Sequence, residues 1–162
     1  MSTLETNLVQ PSTGTTLTLG ASGDTITVPS GATVSGALSN TPSFKVNLAS
    51  TQTVSSGSAT LAAFATELFD TDSAFTNTSS NYKFTVPSGK AGKYFLNASL
   101  NLRDVSQSTT INFARVSIYK NGSEFASNTF NLSGNYADQY TINVSTIDNS
   151  SASDYYQVYG TV

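Results

Sequence analysis

The chain has 162 residues, room for one domain of ordinary size with its own core. Only 10% of them are charged, and seven basic against ten acidic residues leave a net charge of −3, so there is no basic stripe and nucleic-acid binding is not expected. Cysteine and histidine are absent, which excludes a disulfide scaffold, a thiolate or imidazole metal site, and a catalytic pair of nucleophile and histidine.

The N-terminus, Met1 to Thr6, has neither a basic nor an apolar signal region and reads as no secretory signal. No window approaches ~18 apolar residues, so no transmembrane helix or membrane insertion is expected. Residues 1–42 read as a low-complexity arm. Three pieces alternate threonine or serine with an aliphatic residue: Thr16-Leu17-Thr18-Leu19, Thr25-Ile26-Thr27-Val28 and Thr33-Val34-Ser35. Gly20 to Asp24 and Pro29 to Gly31 separate them as turns. The alternation predicts three short strands. Strands of about four residues cannot bury a core alone, so the arm is expected to order against other subunits or another protein.

Residues 36–43 form the hinge, and 43–162 are expected to fold as a separate head. Phe44-Lys45-Val46-Asn47-Leu48 alternates and opens it. Thr60 to Phe69 has some helical spacing, but its neighbours are all of β type, so an extended segment is favoured over a helix. From Asn81 onward, strands are expected near 81–86, 92–102, 110–119, 124–132, 139–147 and 154–161. Pro87 to Gly92 makes a corner between the first two. In the third, Ile111, Phe113, Arg115, Ser117 and Tyr119 share one face, and Asn112, Ala114, Val116 and Ile118 the other. Asn121-Gly122 accepts positive φ at both central turn positions and predicts a hairpin from 113–119 and 124–130. Tyr136, Tyr140, Tyr155, Tyr156 and Tyr159 crowd the C-terminal part, where amphipathic rings suit a core or a wet subunit interface. Many short antiparallel strands with turn punctuation mean a sandwich or jelly roll.

The head carries an ordered series of motifs: Phe69-Asp70, Phe75, Tyr82, Phe84-Thr85-Val86-Pro87, Gly92-Lys93-Tyr94-Phe95, Lys120-Asn121-Gly122 and Asp154-Tyr155-Tyr156-Gln157-Val158. That series resembles the C1q/TNF-like jelly roll over about residues 44–162. It departs from the family in a longer corner at Ser88 to Ala91. Asn81-Tyr82-Lys83 also stands where Thr-Gly is common, and Ser153-Asp154 where Gly-Asp is usual. The resemblance implies an antiparallel jelly-roll sandwich that assembles as a homotrimer, with Phe84, Tyr94, Phe95, Tyr155 and Tyr159 in the core or the trimer interface. Residues 15–33 resemble the low-complexity N-terminal segments of virion structural proteins from tailed phages, especially marine ones. That likeness implies a trimer displayed on a virus particle, made in the host cytoplasm, with Leu17, Leu19, Ile26, Val28 and Val34 docking the arm.

Candidate chemistry is sparse. Asp70 and Asp72 sit two apart in a turn and Asp104 follows a strand. Paired acids could hydrolyse a glycosidic bond, but no His or Trp supports them, and no enzyme activity is expected. Asp70 and Asp72 could also bind calcium; a solvated turn whose carboxylates take backbone amides is the stronger expectation. No cofactor is expected. Two functions remain: a capsid decoration or head-fibre trimer docked by its arm onto capsid or tail proteins, and a tail-fibre tip whose loops contact a host cell-surface receptor, glycan or protein.

Overall fold

Alternation of aliphatic and polar residues builds strands only where each finds a partner edge. The computed structural model describes residues 9–11, 13–32, 42–78, 80–104, 111–132 and 137–162. The chain divides into two units, Met1–Leu38 and Ser39–Val162.

In the first unit the described residues form turns but no strand. The Asp24 carboxylate accepts the Ala21 amide at 2.6 Å, and Ala32 N donates to Pro29 O at 3.1 Å. The strands expected at 16–19 and 25–28 are therefore not formed here. Their threonine–aliphatic alternation has no second strand to bond with, and an isolated strand leaves its backbone to water. The third piece, at 33–35, lies outside the described residues.

The second unit is an antiparallel all-β sandwich whose described residues form ten strands: β1 (Phe44–Asn47), β2 (Thr60–Leu61), β3 (Thr66–Asp70), β4 (Phe75–Thr78), β5 (Asn81–Thr85), β6 (Gly92–Arg103), β7 (Phe113–Lys120), β8 (Ser123–Asn131), β9 (Gln139–Ser150) and β10 (Tyr155–Thr161). There is no helix among the described residues; in the 60–69 stretch, 60–61 form β2 and 66–69 belong to β3, with the tight turns of 62–65 between them. One sheet runs β4-β5-β10-β7-β8, with β2 also on β10. Two two-stranded sheets, β1-β3 and β6-β9, complete the fold. Both pack on the same face of the larger sheet. Phe84 of β5 stacks on Phe44 of β1 at 4.6 Å and tilts against Tyr94 of β6 at 5.6 Å.

The core follows from period 2. Leu96, Ala98, Leu100 and Leu102 on β6, Ile142 and Val144 on β9, and Ala114, Val116 and Ile118 on β7 are all buried. Of the two β7 faces separated in the sequence, the one with Ala114, Val116 and Ile118 is the core face. The Asn-Gly hairpin forms between β7 and β8, with Asn121 at φ 51° and Gly122 at φ 81°, as a type I′ turn requires. A bulge between Ile118 and Tyr119 shifts its register near the turn. The corner after β5 does something different. Lys90 N closes a turn on Pro87 O at 3.1 Å, and Gly89 takes φ 74°. It carries the chain to the opposite layer, so β5 and β6, neighbours in sequence, do not pair.

Candidate interaction surface

The sequence-nominated aromatics separate into buried, half-buried and exposed positions. Phe84 is core, with 1% of its surface exposed. Tyr94 is half-buried and donates to the Lys90 carbonyl at 2.5 Å; burial, then the nearby Asp72 charge, raises its pKa. Tyr155 and Tyr159 are half-buried on the large sheet, on the side away from the core. The Lys83 ammonium lies 4.8 Å from the Tyr155 ring centre, and Tyr159 packs on Tyr119 at 4.3 Å. Burial is the main cause that raises the Tyr159 pKa. Tyr140 rests on Phe130 at 3.8 Å, and Tyr136 lies outside the described residues.

Phe95 stands apart. It is 69% exposed on the outer face of β6, directly opposite Ile147 of β9, itself 67% exposed. The rest of that face is a polar ladder. Asn97 and Asn143 exchange amide hydrogen bonds at 3.2 Å, and Asn101 donates to Thr141 at 2.9 Å. These cross-strand pairs tie β6 to β9 along the ribbon. Among the described residues of the second unit, one apolar cross-strand pair is left exposed on it. Such a polar face, with Lys93 and Arg103 near its two ends and an apolar pair beside Lys93, suits contact with another protein surface.

The acidic turn is structural. Asp70 accepts the Phe75 amide at 2.7 Å and the Asp72 amide at 3.4 Å. Asp72 takes the Thr71 hydroxyl at 2.9 Å and faces Lys90 at 3.8 Å. Among the described residues no group of three or more candidate ligands could hold a metal ion. Asp104 is half-buried at the end of β6, its amide on Asp138 O at 2.9 Å.

One cluster escaped the sequence reading. Lys120, at the end of β7, bridges Asp148 of β9 at 2.6 Å and Asp154 beside β10 at 2.9 Å. Tyr156 donates to Asp148 and lies 2.5 Å from the Ser150 hydroxyl. Asn121 donates to Asp154 at 2.8 Å and accepts the Tyr155 amide at 2.9 Å. The hydrogen bond to Asp148 is the largest cause that lifts Lys120 above the ordinary lysine range. The Asn121 and Lys120 hydrogen bonds pull Asp154 down to about 2. Burial pushes Asp148 up, but its bonds to Lys120 and Tyr156 outweigh that and leave it below the usual carboxylate value. Burial, then Asp148, pushes Tyr156 up to about 12. Every member is satisfied by a neighbour, so the cluster fastens two turns together and offers no free acid or base to a substrate. Its sequence signal was weak, because Lys120 and Asp148 lie 28 residues apart.

No family model matches the chain, and no characterised protein matches its sequence significantly.

Proposed function

We propose that the protein is a non-enzymatic structural component of a phage particle: a homotrimer of C1q/TNF-like jelly-roll heads, anchored on the capsid by its N-terminal arm. The observation that carries the trimer is the exposed Phe95–Ile147 pair on the outer face of β6 and β9. Burying both side chains against neighbouring copies would contribute about 1.5–3 kcal/mol each before entropy costs. A threefold axis repeats the contact three times. The anchoring role rests on the arm, whose aliphatics Leu17, Leu19, Ile26 and Val28 are all exposed and pair with no strand among the described residues. Backbone amides take the Asp70 carboxylate, and the Thr71 hydroxyl and Lys90 take that of Asp72, which supports a structural role for this turn over catalysis.

A second reading, a tail-fibre tip that binds a host receptor, is favoured by the outward Tyr119–Tyr159 pair beside Arg115 and Glu124. Aromatic and polar side chains of this kind make adaptable contacts. Copy number in purified particles decides. Hundreds per particle fit capsid decoration, a few tens or fewer fit the tail, and absence from particles overturns both.

A further inference from the structure

The layer opposite the large sheet is interrupted. β6 is hydrogen-bonded to β9 along twelve residues, and among the described residues its other edge bonds no backbone group. β1 pairs with β3 and with no other strand. Beside the last residues of β6 runs a groove of about 580 Å³. Ala62, Gly160, Val54, Leu100 and Leu102 make an apolar floor, where a Cβ at Gly160 would meet Leu100, Leu102 and Val54, and polar side chains such as Gln52 and Asn101 line the rest. An open strand edge beside an apolar floor accepts an added strand, with main-chain bonds supplying affinity and alternate side chains filling the floor.

We propose that this groove takes the Thr25–Val28 segment from the arm of a second copy of the chain. The chemistry matches: Ile26 and Val28 would face the apolar floor, and Thr25 and Thr27 would face water. Both aliphatics are more than half exposed in the arm. The length matches as well. The β6 wall of the groove runs from Leu100 to Asp104, and four extended residues span about 13 Å. Pro29, which has no amide hydrogen, ends the ladder after Val28. Exchange around a trimer would fill every groove with one arm and close the set, which rests on the trimer reading above. Leu17 and Leu19 stay available for the particle.

The cysteine-free chain makes the test direct. A Thr27→Cys/Asn101→Cys variant of the full chain is oxidised and run without reductant. The expected result is a ladder of linked dimers and trimers. Mixing the two single variants is expected to give linked heterodimers, and adding Ile26→Asn and Val28→Asn to remove them. An intrachain disulfide, with no gain in mass, overturns exchange between copies. No disulfide in a protein that sediments as a trimer overturns the groove assignment and leaves the trimer standing. A monomer overturns both.

Discussion

Lys120 shows how one side chain can hold several elements. Its ammonium joins the end of β7 to Asp148 on β9 and to Asp154 ahead of β10. Both carboxylates titrate below their ordinary value of 3.8. Folding therefore gains stability from them above that value and loses it as pH falls toward about 2. Asp154→Asn should lower Tm at neutral pH, and the gap from the parent should close near pH 2; a gap constant with pH would contradict the clasp. Tyr156 behaves in the opposite sense. Its folded pKa near 12 exceeds the ordinary 10.0, so its contribution is present below pH 10 and lost toward pH 12. Phe84 is the core's keystone, in contact with Phe44, Tyr94 and Tyr156. Phe84→Ala should cost about 3–5 kcal/mol by denaturant unfolding. The resemblance left it between core and trimer interface, and its burial under Phe44 and Tyr94 puts it in the core. The Lys120 clasp was not legible in the sequence, because nothing local links Lys120 to residues on a later strand.

Elements defined by local chemistry were read well, and elements defined by distant pairing were not. The β7–β8 hairpin is encoded in two residues, Asn121 and Gly122, both at positive φ. A side chain at Gly122 would adopt a left-handed backbone, and its Cβ would come 3.3 Å from the Tyr155 hydroxyl. Gly122→Val should cost about 1–2 kcal/mol, checked by thermal unfolding. By contrast, the β6–β9 ribbon joins Asn97 to Asn143 across 46 residues, and no turn motif announces it. The exposure of Phe95 depends on that pairing, so sequence could place it only in core or interface. The arm failed for a related reason. Alternation at Thr16–Leu19 and Thr25–Val28 states a preference for strand, but a strand also needs a partner edge.

At the scale of the molecule, the sandwich presents an apolar pair on a polar ribbon, and the arm presents exposed aliphatics. Replacing Phe95 and Ile147 together by serine should leave the head folded, because both side chains lie outside the core, and on the proposed trimer reading should weaken association of the copies. Deleting residues 2–35 should give a soluble head that no longer joins the particle; full occupancy by such a variant would remove the arm from the account. The most direct measurement is the mass of the free full-length chain by sedimentation equilibrium at micromolar concentration. Three chains of 17.0 kDa moving as one species is the predicted result. A single species of 17.0 kDa would contradict it.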